Sequence, residues 1–118
     1  MTAEESRGLL VTDPLSAQEA VDTAKVFKAL GDPVRLRLLS LIASHGDAEV
    51  CVCELTGEFD VTAPTISFHL RVLREAGLVV SERRATWVYY RVNQHMLGVL
   101  SGFFAAPTIS TLQPVATC

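Results

Sequence analysis

The sequence predicts a mainly helical domain that carries one β-hairpin. Three observations point there. Apolar residues between 16 and 76 recur at helical spacing, punctuated by cap residues, Gly and Pro. The pattern then changes to two runs rich in β-branched and aromatic residues, Leu78–Glu82 and Thr86–Val92. A helical pattern returns over 94–104. A length of 118 residues suits one domain, and 49% hydrophobic against 19% charged residues can fill a core.

Residues 1–15 carry no clear period and are expected to form a flexible N-terminal segment. The folded domain is expected over 16–105. Ser16 and Glu19 have capping-box spacing, and Ala20, Ala24, Phe27 and Leu30 follow at helical intervals, so the first helix covers about 17–30. Gly31 ends it. Asp32-Pro33 restarts the chain with an acid at the N-cap and Pro at the first helical position. Leu36, Leu39, Ile42 and Ala43 then make the apolar stripe of a helix over about 33–44. His45-Gly46-Asp47 is a turn, and a short helix over about 51–58 follows. Thr62 caps the next helix, Pro64 sits in its first turn, Ile66, Leu70, Val72 and Leu73 form its apolar side, and Gly77 stops it. The hairpin comes next, with Arg83-Arg84-Ala85 connecting its strands. Met96, Leu97, Leu100, Phe103 and Phe104 mark the last helix. Residues 106–118 hold Pro107 and Pro114 and read as an irregular tail ending in Cys118. A short helix, a turn and a capped helix followed by a basic hairpin is the winged helix-turn-helix arrangement.

The net charge is −3, with no apolar run long enough to cross a membrane and no visible secretory leader. Three cysteines are too few for a disulfide scaffold and suggest reduced thiols in the cytoplasm. The average charge hides a split. Residues 61–93 hold five arginines and two acids, a local charge of +3, which leaves −6 on the rest. Such segregation is a candidate footprint for a polyanion. Thr62, Thr65, Ser67, Phe68 and His69 crowd the first turns of the candidate recognition helix, where hydroxyls and the helix N-terminus can meet base edges and phosphates of double-stranded DNA. Arg71 and Arg74 lie further along, toward the DNA backbone. Arg83 and Arg84 sit at the hairpin tip, where a wing reaches flanking DNA. The bland reading is a solvated amphipathic helix, and the adjoining basic hairpin weighs against it. No nucleophile–base pair, phosphate-cradling glycine loop or paired acid suggests an enzyme, and no organic cofactor is implied.

Four blocks carry a resemblance: FKALGDPVRLRLL at 27–39, TISFHL at 65–70, LREAGLV at 73–79 and WVYY at 87–90. The chain resembles the ArsR/SmtB family of metal-responsive repressors over about residues 20–100. The resemblance implies a homodimeric winged helix-turn-helix that represses a metal-resistance operon and leaves its operator DNA when metal binds. It implies a dimer interface on the first and last helices, here Val21, Ala24 and Phe27 with Leu97, Leu100, Phe103 and Phe104. The chain departs from the pattern at Phe68, where many members carry a second His.

Val50-Cys51-Val52-Cys53-Glu54-Leu55 resembles the inducer segment of the arsenic-sensing branch and points to trivalent arsenic or antimony as inducer. Thiolates are soft donors that suit thiophilic ions. Alone, a Cys-x-Cys pair reads equally well as two small buried hydrophobes. Residues i and i+2 of a regular helix diverge, so one ion bonding both Cys51 and Cys53 is expected to distort the start of the short helix. Many arsenic sensors carry a third Cys three residues further on, where this chain has Thr56. Cys118 is the remaining candidate third ligand. His95 lacks the companions of the family's terminal-helix site, so no zinc site is expected there. Alternatives keep the fold and change the signal: cadmium, lead or an organoarsenical, or oxidation of the two thiols.

Overall fold

The computed structural model describes residues 14–105. The expected N-terminal segment lies almost wholly outside them, as does the whole expected tail over 106–118 with Cys118. Five helices and three strands follow in order: α1 Ala17–Leu30, α2 Pro33–Ala43, β1 Val50–Cys51, α3 Val52–Thr56, α4 Ala63–Glu75, β2 Val79–Arg84, β3 Trp87–Val92 and α5 Gln94–Phe103. This is a winged helix-turn-helix, with β2 and β3 as the wing.

Local chemistry sets the helix starts. Ser16 caps α1 through the Glu19 backbone N–H, and the Glu19 carboxylate accepts the Ser16 N–H in return. The Asp32 carboxylate accepts the backbone N–H groups of both Val34 and Arg35 at the head of α2. Thr62 caps α4 and Asn93 caps α5. Helix α4 ends in a Schellman turn. Gly77, with φ +81, lets the Leu78 N–H reach Leu73 O and its own N–H reach Arg74 O. The Asn93 side-chain amide donates to Gly77 O at 2.8 Å, which ties the end of the wing to that turn.

The core is aliphatic. Leu38 and Ile42 of α2, Leu55 of α3, Ile66, Leu70 and Leu73 of α4, and Leu78, Val79, Tyr90 and Val92 around the sheet pack into one cluster. Leu36, placed in the apolar stripe by spacing, faces outward, and Leu38 occupies the core in its stead.

The sheet has three strands in the order β1-β3-β2, all antiparallel. Strand β1 is unanticipated: Val50 pairs with Tyr90 and Cys51 with Tyr89. Arg83 and Arg84 belong to β2, opposite Val88 and Trp87, and the connection is Ala85-Thr86. Ala85 adopts φ +57, a region that strains L residues.

Backbone handedness thus sets opposite outcomes at two turns. Gly77→Ala should lower stability by about 1–2 kcal/mol, since a Cβ there meets the left-handed penalty and the Met96 methyl at 3.2 Å. Ala85→Gly should raise it by about 0.5 kcal/mol, after the entropy glycine restores to the unfolded chain. Urea midpoints of the two variants check the signs.

Candidate nucleic-acid interface and thiol site

Burial of Ile66, Leu70 and Leu73 on one side of α4 turns the other side outward. Ser67, Phe68, Arg71 and Arg74 are exposed, with Thr62 at the cap and Thr65 half-buried. The Thr62 and Thr65 hydroxyls lie 2.9 Å apart. The Arg71 guanidinium stands 5.6 Å over the Phe68 ring. These side chains form one continuous surface running from the head of α4 to its last turn.

His69 differs from its neighbours. It is half-buried, and its Nδ1 lies 3.1 Å from the Arg35 guanidinium. Arginine only donates, so Nδ1 accepts and the ring proton sits on Nε2. The same guanidinium donates to Ala29 O at 2.6 Å and to Lys28 O at 3.4 Å. His69 is therefore fastened to the α1–α2 corner.

The two wing arginines also differ. Arg83 is exposed and makes no hydrogen bond or ion pair among the described residues. Arg84 is held by Glu49 at 2.5 Å and by Glu82 at 3.2 Å, and lies 4.9 Å over the Tyr89 ring. Glu82 and then Glu49 raise the Arg84 pKa above its ordinary value. Glu49 was not foreseen. Its loop has no periodicity, and only the β-branched Val50 and Val52 hint at the strand beside it.

The thiols meet at the junction of β1 and α3. Cys51 is the N-cap of α3, with extended dihedrals, and its sulfur accepts the Cys53 backbone N–H at 3.4 Å. The Cys51 N–H donates to the Glu54 carboxylate, completing a capping box. Cys51 is buried and Cys53 exposed. A hydrogen bond to the Cys51 sulfur raises the pKa of the Cys53 thiol, with burial and the nearby Glu54 adding. The expectation that the pair diverges assumed two helical residues. Cys51 lies just outside the helix as its N-cap, so the two residues are not both helical and helix geometry alone does not hold their side chains apart. No cluster of three or more potential ligands occurs among the described residues, and the expected third ligand, Cys118, lies outside them.

The expected dimer surface divides in two. Val21, Ala24 and Phe104 are exposed, Phe104 at 57%, and Val99 joins them. Phe103 is instead buried within its own chain: its ring lies 5.8 Å from Phe27 and 5.1 Å from Phe104, in a cluster that pins α5 to α1. Leu97 and Leu100 are half-buried against the core.

Known proteins share this architecture. An arsenic resistance transcriptional regulator of Pseudomonas putida is 50% identical over 68 residues, 58% of this chain and 52% of that one. The arsenical resistance operon repressor of Bacillus subtilis is 41% identical over 76 residues, 64% of this chain and 70% of that one. Residues 32–81 match the family of bacterial regulatory proteins called arsR. The chain belongs to the ArsR family. A solved homodimeric winged helix-turn-helix DNA-binding domain from Mycobacterium bovis, described as a possible ArsR-family transcriptional regulator, superposes with a TM-score of 0.61 at 28% identity. It covers 76% of this chain and 84% of that one. The chain spans about half the length of the Pseudomonas relative it matches. The ArsR-family match runs from Asp32 to Ser81, so it takes in α2, the thiol pair and α4 and stops inside the wing. Among the described residues no helix is long and apolar enough to cross a membrane.

Asp32 stands where α1, α2 and His69 meet. The backbone N–H of Arg35 holds its carboxyl below the usual carboxylate range, against an opposing effect of burial. A carboxyl lowered in the folded state stabilises above its unfolded value of about 4, and that contribution fades as pH falls through the folded value. Asp32→Ala should therefore cost about 1 kcal/mol at pH 7. The gap to the parent should narrow progressively as pH falls below about 4, as read by urea unfolding over a pH series.

Proposed function

We propose that this ArsR-family chain is a cytoplasmic homodimeric repressor of an arsenic-resistance operon. It binds double-stranded operator DNA through α4 and the wing, and lets go when trivalent arsenic or antimony bonds to Cys51 and Cys53. The observation that carries the reading is that Cys51 caps the helix that packs on α4, its sulfur accepting the backbone N–H of Cys53, so both thiols sit at one helix start. The names of its relatives, arsenic resistance regulators and arsenical resistance repressors, support the same inducer.

The donor set fits the ligand. Arsenous acid is neutral, and condensing it with two thiols forms two As–S bonds and releases two waters. Soft sulfur favours such an ion over hard divalent cations. The two thiol protons leave with the displaced hydroxides as water, so the net reaction needs no external base. A third As–S bond would come from Cys118 of either subunit.

Ligation acts on structure at a sensitive place. The Cys51 sulfur that would bond arsenic is the cap of α3, and the Cys51 backbone is paired to Tyr89 in the wing. Moving Cys51 disturbs the support of α4 through α3 and the seat of the wing through β1. Release requires only that the ligated form bind DNA less well than the free form. The DNA face combines the hydroxyls of Thr62, Thr65 and Ser67 with Phe68, the His69 ring, Arg71, Arg74 and Arg83. Arg84 contributes less, since two carboxylates already hold it. Val21, Ala24, Val99 and Phe104 would be covered by the second subunit, with Phe27, Phe103, Leu97 and Leu100 backing them.

Titrating arsenite onto the protein bound to its own upstream DNA tests the proposal. The parent should weaken by about 5–150-fold, the span of ordinary allosteric coupling. A Cys51→Ser, Cys53→Ser variant should bind DNA normally and ignore arsenite. Equal release of that variant would overturn the thiol reading. Cys118→Ser alongside shows whether the site holds two sulfurs or three. For the wing, Arg83→Ala should reduce the slope of log affinity against log salt by about 2 per dimer, and Arg84→Ala by clearly less. Equal slopes would show that Arg84 leaves its carboxylates on binding.

A further inference from the structure

The outward face of α4 holds one large apolar ring among hydroxyls and charges. Phe68 is 47% exposed, on the side opposite Ile66, Leu70 and Leu73. Thr65 precedes it by three residues and Arg71 follows by three, so the three form one ridge along the helix. It belongs neither to the cluster that fills the core nor to the hydrophobic residues packed against that cluster. Its ring contacts are polar or cationic. The edge of the His69 ring is 5.4 Å away between centroids, and the Arg71 guanidinium lies 5.6 Å from its centre. His69 is itself fastened to Arg35. The phenyl ring is thus braced from two sides while much of its surface stays in water.

We propose that Phe68 is a specificity residue that reads thymine, packing its ring on the C5-methyl group of a thymine in the major groove. The inference rests on the DNA-binding reading above and adds the base to it. Among the four bases, thymine alone presents a methyl group in the major groove, and the other edges there offer hydrogen-bond donors and acceptors. A phenyl ring can satisfy none of those polar groups, and pressing it on them leaves them unpaired. Against a methyl it removes apolar surface of both partners from water. Charge complementarity favours DNA over a protein as the occupant, because Arg71 and Arg74 flank the ring on the same helix. Bracing by Arg71 and His69 limits the rotamer freedom lost on contact.

The test replaces thymine by uracil, which differs only by that methyl. The upstream DNA fragment is prepared once with thymine and once with uracil throughout, and affinities are measured by fluorescence anisotropy. Burying one methyl group corresponds to about a fourfold change, so two subunits on two half-sites should favour the thymine fragment about 15-fold. Phe68→Ala should bind the thymine fragment more weakly and lose most of this preference. Phe68→Leu, which keeps an apolar side chain, should retain part of it. Because Phe68 is exposed, thermal unfolding should be nearly the same in all three proteins. If the parent binds both fragments equally, or if Phe68→Ala keeps the full preference, the thymine assignment is overturned while DNA binding stands. If the parent fails to bind the thymine fragment at all, the DNA-binding reading falls and this inference falls with it.

Discussion

Burial of one side of α4 governs the rest of the molecule. Ile66, Leu70 and Leu73 are completely enclosed by Leu38 and Ile42 of α2, Leu55 of α3 and the first residues of the wing. Each such side chain contributes about 1.5–3 kcal/mol by leaving water. No charged or polar residue is buried anywhere in the described chain, so apolar packing is the main constraint on the rotation of α4 about its axis. Turning the helix by one residue would swing it by about 100° and bring polar groups into that pocket. The same constraint that stabilises the domain therefore decides which side chains meet a ligand. Phe68 and Arg71 are outside because Ile66 and Leu70 are inside.

Polar contacts then trim what packing has placed. Arg35 joins three helices at the rim: two carbonyls at the end of α1, its own helix α2, and the His69 ring of α4. Asn93 does the equivalent work at the other end, donating to Gly77 O and accepting from Met96 at the start of α5. Both ties are short, partly exposed and charge-assisted or geometrically constrained, so they orient more than they stabilise. Their common effect is to hold α4 at its middle, through His69, and at the turn just past its C-terminal end, through Gly77.

The helices and the hairpin were legible in the sequence because their signals are local. Ser16, Asp32 and Thr62 mark helix starts, Gly77 marks an end, and the change of period after it marks the wing. Family resemblance added two proposals that local signals lack, a dimer face and a role for the thiols. What stayed hidden depends on pairing across distance. Strand β1 has two residues, too few for any periodicity, and exists because β3 offers it a partner. Glu49 is an ordinary loop acid until the fold brings Arg84 to it. The thiol segment shows a related limit: a helix boundary shifted by one residue turns Cys51 from a helical residue into the cap of α3, whose sulfur accepts the Cys53 N–H.

On the proposed reading, that boundary would let a small chemical event at Cys51 be felt at two distant surfaces. A two-residue strand pairs through few hydrogen bonds, and a five-residue helix depends heavily on its cap. Both share Cys51, and both touch elements that face DNA. A stiffer arrangement, with the thiols in the middle of a long helix, would resist the ligand or absorb it without consequence. The charge distribution works in the same direction. A segment of +3 set in a body of −6 attracts DNA only where the recognition surface is correctly presented, and Glu49 and Glu82 already offset one wing arginine. Non-specific attraction is thereby kept low, and the complex depends on shape. On the proposed reading, a coupling of about 1–3 kcal/mol, ordinary for allostery, would be enough to empty the operator.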